Sequence, residues 1–174
     1  MKLKQQRWIV TGLLLFGMLG IFVPGFKAAA KDNVRALVIT RGDYDSEYSN
    51  LSPGPENDGT NFERVLSQAY GEALTVTKLE KEGVQTVAGA AEAIRTAFAD
   101  SDSEDINYFY YSGHGDVTGM WLGGDEFFNA DNLAQAFSGI QGTNFLVIDC
   151  CYSGSLLARS ASQDSFASQF ISEF

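Results

Sequence analysis

Four short apolar segments alternate with segments of helical periodicity, and this alternation restricts the fold more than any other feature of the chain. The predicted strands cover residues 35–40, 74–79, 106–111 and 145–149. Apolar residues at helical spacing lie between them, over residues 60–71, 84–99 and 129–137. Strands that are joined through helices form right-handed crossovers. The pattern therefore predicts a three-layer α/β domain with a mainly parallel sheet and helices on both faces.

Three polar stretches are predicted as loops. Residues 41–59 are rich in Gly, Pro, Ser, Asn and Asp, and residues 112–125 contain several glycines. Residues 100–105 are acidic and are predicted to be a solvated loop, with a calcium site as the less favoured alternative. After the second of these loops, Asn129 or Asp131 is the predicted cap of the third helix.

Length and charge narrow the class of protein. A chain of 174 residues suits one domain with a core of its own. The formal net charge is −10, but residues 1–30 carry four basic groups and no acid, so the rest has 8 basic and 22 acidic residues, or −14. Nucleic acid is excluded as a partner, because binding it depends on Lys and Arg at the phosphates. Such a surface would attract a basic peptide or a divalent cation.

The N-terminus has the pattern of an export signal. A basic start is followed by an uncharged stretch over residues 8–23, and Ala28 and Ala30 provide the small residues that signal peptidase requires. We expect cleavage after Ala30, which leaves residues 31–174 as a secreted or cell-envelope domain. The alternative is an uncleaved anchor, although 16 residues are fewer than the roughly 20 that span a bilayer. Contact with a membrane is expected only through such an uncleaved leader.

The only histidine and the only two cysteines follow the third and fourth predicted strands. His114 lies between two glycines after the third strand, and Cys150 and Cys151 follow the fourth. Ligands of parallel sheets bind outside the carboxyl ends of the strands, so these side chains are expected to lie at one edge. A thiol needs a neighbouring base to become a nucleophile near neutral pH, and a histidine can provide it. This arrangement indicates a cysteine hydrolase.

Other readings of these residues are weaker. Taken alone, the histidine could pack in a loop and the cysteines could be small buried apolar residues. Adjacent cysteines cannot form a disulfide framework, because a bridge between neighbours closes a small strained ring. A zinc site normally has four ligands, whereas these residues supply three at most. Neither a Gly-x-Ser-x-Gly segment nor a phosphate-binding loop is present in the sequence.

Two motifs carry a family resemblance. Residues 111–115 (Tyr-Ser-Gly-His-Gly) and 149–154 (Asp-Cys-Cys-Tyr-Ser-Gly) resemble the two signature segments of caspase-like cysteine peptidases, in particular metacaspases and their bacterial relatives. Residues 51–58 resemble the segment before the first helix of that family. The similarity extends over residues 35–154. It implies the caspase fold and a cysteine endopeptidase activity that requires no cofactor.

The resemblance also implies roles for individual residues. Cys151 matches the family's nucleophile and His114 its general base, and the amides of Gly115 and Cys151 match the donors to the oxyanion. Cys150 is then a neighbour without a catalytic role. Asp149 matches the acid of the specificity pocket, which implies cleavage after Arg or Lys.

Further expectations from the resemblance concern the pocket and calcium. Asp43 is the candidate for a second acid of the specificity pocket, and Asp45 is the weaker candidate. The alternative for Asp149 is a structural role as a helix cap or hydrogen-bond partner. Many metacaspases depend on calcium, so calcium is expected as a possible activator.

The segment after Cys151 is shorter than in the family, which adds further strands there. The expectation is that the C-terminal strands are missing, so the chain is either a fragment or is completed by another chain. Members of the family can cut themselves near the nucleophile, and Arg159 is the candidate site for this. Phe166, Phe170 and Ile171 have helical spacing. An alternative function is a catalytically silent caspase-fold module that binds or regulates other proteins.

Overall fold

The computed structural model describes residues 33–44 and 50–158. Several predictions lie outside these described residues: the leader with its cleavage site at Ala30, the pocket candidate Asp45, the cleavage candidate Arg159, and the apolar residues Phe166, Phe170 and Ile171. Among the described residues, no helix is long and apolar enough to cross a membrane.

The described residues form six strands and four helices. The strands are β1 (Val34–Arg41), β2 (Leu74–Leu79), β3 (Ile106–Gly113), β4 (Met120–Gly123), β5 (Glu126–Phe128) and β6 (Thr143–Asp149). The helices are α1 (Gly54–Tyr70), α2 (Val87–Ala97), α3 (Ala130–Phe137) and the single turn α4 (Ser155–Ala158), and a short 3-10 helix covers Gly71–Ala73. All four predicted strands are present, with ends that differ from the predicted ones by two residues at most.

Four strands form one parallel sheet in the order β2-β1-β3-β6. The two central strands are buried nearly throughout, as expected of parallel strands that are covered on both faces. On one face, Leu66 of α1 packs on Val38 and Tyr110. On the other face, α2 and α3 cover a larger core that contains Leu37 and Phe109. The predicted three-layer α/β fold is confirmed.

The first helix begins earlier than predicted. The loop predicted over residues 41–59 ends at Pro53, and α1 starts at Gly54 rather than at Thr60. Glycine and proline were interpreted as loop residues, but Pro55 lies in the first turn of the helix. A proline is tolerated there because its missing N–H has no partner within the helix.

Two helix caps fix the starts of α2 and α3. The Thr86 side chain accepts a hydrogen bond from the Gly89 amide at 3.1 Å, so α2 begins at Val87 instead of the predicted residue 84. Asn129 accepts from the Asn132 amide, and the Asn132 side chain accepts from the Asn129 amide, both at 3.0 Å. Asn129, one of the two predicted alternatives, is therefore the cap of α3. Its two hydrogen bonds with Asn132 form a capping box.

The prediction of a loop over residues 112–125 is wrong in part, because β4 and the turn of a β-hairpin lie within this range. Strands β4 and β5 pair antiparallel, and β3 itself extends to Gly113. The strands of the hairpin have only four and three residues and are joined through Gly124, so neither shows a clear periodicity. Burial of Met120, Leu122 and Phe128 in the core on the α2–α3 side holds the hairpin on the domain.

The acidic loop is anchored to the sheet at Asp105, which corrects its prediction as wholly solvated. The Asp105 side chain is only 2% exposed and forms an ion pair with Arg35 of β1. It also accepts hydrogen bonds from the amides of Asn33 and Asp102, each at 3.1 Å. Although burial alone would raise the pKa of Asp105, the hydrogen bonds from Asp102, Arg35 and Asn33 lower it below its ordinary value.

Candidate active site

His114 directly follows β3, and hydrogen bonds hold the peptide groups on both of its sides. Its amide donates to the hydroxyl of Tyr44 at 2.9 Å. Its carbonyl accepts from the hydroxyl of Tyr111 at 2.9 Å and from the amide of Trp121 at 3.0 Å. These three bonds end on the backbone of His114, so they fix the main chain without using an imidazole nitrogen.

Two aromatic rings lie against the imidazole of His114. The centre of the Tyr44 ring is 5.0 Å from that of the imidazole, and the centre of the Trp121 ring is 5.6 Å from it. Tyr44 and Trp121 stack on each other at 4.8 Å with an angle of 15° between their planes. The imidazole is partly exposed at this position, so it lies against a rigid aromatic surface and is still reachable from solvent.

The two cysteines after β6 have different surroundings. Cys151 is exposed, whereas Cys150 is half-buried and packs against the core on the α2–α3 side of the sheet. Burial, with smaller contributions from the neighbouring Cys151 and Asp149, raises the pKa of the Cys150 thiol to about 11. Cys150 is therefore protonated near neutral pH, and Cys151 is the accessible thiol of the pair.

The loop after β3 meets the turn after β6 at Gly115. A Cβ atom at this position would lie 2.6 Å from Cys150 Sγ and 2.7 Å from the carbonyl oxygen of Cys151, so a larger residue does not fit. This approach follows from the pairing of β3 with β6, in which Ser112 is opposite Asp149. Within the described part of the chain, the amides of Gly115 and Cys151 donate no hydrogen bond. Both donors thus remain available to an acceptor at this edge.

Comparison with protein families identifies the domain. The family model for the caspase domain matches residues 33–173, which is most of the chain and includes the segments of His114 and Cys151. The chain belongs to the caspase-domain family. Comparison with curated proteins gave no match. The parallel sheet with helices on both faces is consistent with the caspase fold, and membership of this family is consistent with a cysteine peptidase.

A pair of carboxylates lies beside Ser112 of this caspase domain. The Ser112 hydroxyl donates to Asp58 Oδ2 at 3.4 Å, and Ser112 is the register partner of Asp149. Burial raises the pKa of Tyr110, and the negative charges of Asp149 and Asp58 raise it further, against the effect of a hydrogen bond with Ser112. Asp58 and Asp149 are both exposed, so a cation from solvent can reach them.

The candidate second pocket acid, Asp43, has a different partner. Its Oδ2 atom lies 3.4 Å from the ammonium group of Lys81, which follows β2. Lys81 follows the strand at the edge of the sheet opposite β6, and the Asp43 side chain is 60% exposed. Asp43 as the second pocket acid stays a prediction, and Asp58 is a further carboxylate that lies at Ser112 beside Asp149.

The described residues do not fit a calcium or zinc site. None of their His, Cys, Asp and Glu side chains form a group of three or more that could hold a metal ion. In the acidic loop, where calcium was the less favoured prediction, Asp105 turns inward to Arg35 instead of joining its acidic neighbours. Calcium as an activator stays a prediction from the family resemblance.

Three residues of this site were missed in the sequence. Asp58 falls in the segment predicted as a loop, although residues 51–58 resemble the segment before the first helix of the family. Tyr44 and Trp121 lie in loop-like segments and gain their positions through contacts that join distant parts of the chain. An aromatic residue within a glycine-rich segment after a strand is the one signal that could have drawn attention to Trp121.

Proposed function

We propose that this caspase domain is a secreted cysteine endopeptidase that cleaves peptide bonds after Arg or Lys, with Cys151 as nucleophile and His114 as general base. The observation that carries the proposal is the contact of Gly115 with Cys150 and Cys151. It places the loop of the only histidine directly against the turn that bears the accessible thiol. Membership of the caspase-domain family supports the same chemistry.

The proposed reaction has two steps. In the first, His114 takes the proton of the Cys151 thiol, the sulfur attacks the peptide carbonyl carbon, and the C–N bond breaks. The leaving amine takes the proton from His114, and an acyl group remains on Cys151 as a thioester. In the second, a water molecule gives a proton to His114 and attacks the thioester. The carboxylic acid leaves, and the proton on His114 returns to the sulfur.

The negative oxygen that forms in each step needs hydrogen-bond donors. The amides of Gly115 and Cys151 are suited to this role, because they lie at the contact between the two loops and donate no bond within the described residues. Donors that are already in position stabilise a developing oxyanion by several kcal/mol, and the loss of one typically costs about 10²–10³-fold in kcat. The close approach that requires glycine at position 115 serves this arrangement.

The specificity for basic residues rests on two carboxylates. Asp149 and Asp58, on either side of Ser112, provide the charge that a guanidinium or ammonium group requires. We propose Asp58 as the second acid, since Asp43 is paired with Lys81. The net charge of −14 outside the leader would also draw basic peptides toward the domain.

Secretion is the remaining element of the proposal. Residues 1–30 combine a basic start, an uncharged stretch and the residues Ala28 and Ala30, which is the pattern of a cleaved export signal. N-terminal sequencing of the protein from the culture medium tests this directly. Lys31 as the first residue supports the proposal, and a secreted chain that begins at Met1 contradicts cleavage.

A panel of fluorogenic peptides tests the activity and its specificity together. The full chain is assayed on matched peptides that end in Arg, Lys or Asp before the reporter, with calcium and with a chelator. We expect hydrolysis of the Arg and Lys peptides and none of the Asp peptide. Preference for Asp would contradict the proposed pocket. No hydrolysis of any peptide by a folded sample would favour the silent binding module, and a loss of activity with the chelator would support calcium activation.

A further inference from the structure

Four residues form a connected group at His114, and we call it the His114 cradle. Its members are Arg41 at the end of β1, Tyr44 just after β1, Tyr111 in β3 and Trp121 in β4. Tyr44 and Tyr111 hold the amide and the carbonyl of His114, each at 2.9 Å. The Tyr44 hydroxyl also donates to the carbonyl of Trp121 at 3.3 Å, and the one proton of the Tyr111 hydroxyl is shared between the carbonyls of His114 and Trp121, the latter at 2.8 Å. The cradle therefore links the histidine to the hairpin.

Tyr44 contacts both the backbone and the imidazole ring of His114, whereas the hydrogen bond from Tyr111 to His114 is to its backbone carbonyl. The Tyr44 hydroxyl accepts from the His114 amide, and its ring lies 5.0 Å from the imidazole. Tyr44 itself is only 5% exposed and stacks on Trp121. Burial raises the pKa of Tyr44, more than hydrogen bonds and the nearby Arg41 lower it, so the hydroxyl stays protonated near neutral pH. It can then accept from His114 and donate to Trp121 at once.

Arg41 is a buried member of the cradle, and the burial of its charge has a cost in free energy. Its side chain is 2% exposed, and its Nε and Nη2 atoms donate to the carbonyl of Leu122 at 3.1 Å and 2.8 Å. Its guanidinium lies 4.9 Å from the centre of the Tyr44 ring, which is a cation–π contact. Nη1 is buried with no hydrogen-bond partner in the described structure. A buried cation that is not fully bonded has a cost in free energy, which the two bonds to Leu122 and the cation–π contact offset in part.

Gly113 leaves the space that the cradle needs. A Cβ atom there would lie 2.8 Å from the Tyr111 hydroxyl, 2.9 Å from the Tyr44 hydroxyl and 3.0 Å from Arg41 Cβ. Any side chain at this position would push the two hydroxyls away from His114. The glycine before the histidine therefore serves the two tyrosine bonds, while the glycine after it serves the contact with the cysteines.

From these contacts we infer that Tyr44 is a positioning residue for the reaction: it holds the main chain and the ring plane of His114 so that the imidazole faces the nucleophile. The inference rests on the proposed function for its catalytic consequence. Its structural part, the bond between Tyr44 and the His114 amide, can be tested without any activity. The hydroxyl is buried and bonds to the backbone of His114 and Trp121, so its removal should affect the rate of reaction and leave substrate binding intact.

The test uses Tyr44→Phe in the full chain, with Tyr70→Phe as the matched control. Both changes remove one tyrosine hydroxyl, but that of Tyr70 bonds to Tyr108 on the opposite face of the sheet at 2.7 Å. Hydrogen exchange of the His114 amide is measured first, in the Cys151→Ala background. Loss of one hydrogen bond is worth roughly 1 kcal/mol, so we expect about fivefold faster exchange in Tyr44→Phe and no change in Tyr70→Phe.

Kinetics on the best peptide provide the second readout. We expect Tyr44→Phe to lower kcat by about ten- to a hundredfold with KM unchanged, because small misplacements of a catalytic group have effects of this size. Unchanged exchange of the His114 amide, or a kcat equal to that of the unaltered chain, would overturn the inference. An equal loss of kcat in Tyr70→Phe would overturn it too. Absence of cysteine-dependent turnover in the unaltered chain would instead contradict the proposed function, and the exchange result would still decide the structural part.

Discussion

Gly115 lies so close to Cys151 that a Cβ atom on the glycine would be 2.7 Å from the cysteine's carbonyl oxygen. Replacing Gly115 with alanine must therefore separate the two loops that carry His114 and Cys151, or tilt their amides. We predict that Gly115→Ala lowers kcat/KM on an arginyl peptide by about a hundredfold or more, which is the typical cost of losing an oxyanion donor.

Gly54→Ala is the matched control for this substitution. A Cβ atom at Gly54, in the first turn of α1, would have nothing within 4 Å, and the change there is chemically the same. It should leave kcat/KM within about twofold of the unaltered chain, since an exposed position has little effect on packing. Equal activities of the two variants would show that the close contact is not part of the catalytic site.

The two cysteines should differ in reactivity. Limited treatment with iodoacetamide near pH 7.5, followed by tandem mass spectrometry, is expected to find the alkyl group on Cys151. The thiol of Cys150 is half-buried, and its pKa is raised to about 11, so it is almost entirely protonated at this pH. Its labelling should increase only as the pH approaches that value.

In urea both cysteines should react at similar rates, because the burial that protects Cys150 is lost on unfolding. This sample controls for any difference in the efficiency of detection. Preferential labelling of Cys150 in the folded chain would contradict the assignment of Cys151 as the accessible thiol.

The carboxylates beside Ser112 should decide the preference for basic residues. Asp149→Asn and Asp58→Asn remove one charge each and keep the shape of the side chain, so each should lower kcat/KM on an arginyl peptide by about ten- to a hundredfold. Asp43→Asn is the matched control, because its carboxylate is paired with Lys81. If Asp43→Asn reduces cleavage as strongly as Asp149→Asn, and Asp58→Asn has no effect, then Asp43 is the second pocket acid.

The ion pair of Asp105 with Arg35 should stabilise the domain in a pH-dependent way. Removing one partner of a buried pair typically costs about 3 kcal/mol, so Asp105→Asn is expected to lower the free energy of unfolding in urea by about that amount at pH 7. The pKa of Asp105 is lowered from 3.8 by folding, so its contribution is present above that pH. This contribution should be lost as the pH falls through the pKa of Asp105 in the folded chain. Below that pKa, the unaltered chain and Asp105→Asn should have similar free energies of unfolding.

An exposed ion pair is the comparison for this effect. Glu92 and Arg95 lie one turn apart on α2 at 3.1 Å, with side chains 68% and 49% exposed. Glu92→Gln should change the free energy of unfolding by no more than about 0.5 kcal/mol, since solvent screens such pairs. A loss at Asp105→Asn as small as that at Glu92→Gln would show that the acidic loop is not anchored by its buried carboxylate.

Much of the fold could be predicted because its two central strands, β1 and β3, are buried on both faces. Such strands are continuous apolar runs, as in β1, and they alternate with helices whose apolar residues have helical spacing. The position of His114 and Cys151 at one edge follows from the same pattern, since both come directly after parallel strands. The starts of α2 and α3 follow a local rule, because Thr86 and Asn129 are residue types that favour the N-cap position of a helix.

The features that could not be predicted depend on contacts between distant residues or on very short elements. The hairpin β4–β5 has too few residues for periodicity to be visible, and its stability comes from burying Met120 and Phe128. Asp58 bonds to Ser112 across 54 residues of sequence, so helix or strand periodicity could not indicate this contact. The same holds for Tyr44, whose partner His114 is 70 residues away.

The central claim is that Cys151 is the nucleophile of a peptidase. The most direct test is kcat/KM on the arginyl peptide for three full-length samples: the unaltered chain, Cys151→Ala and Cys150→Ala. We predict that Cys151→Ala abolishes turnover, whereas Cys150→Ala stays within about tenfold of the unaltered chain, because it loses only packing at the edge of the core. Persistent turnover in Cys151→Ala, or its loss in Cys150→Ala alone, would contradict the account.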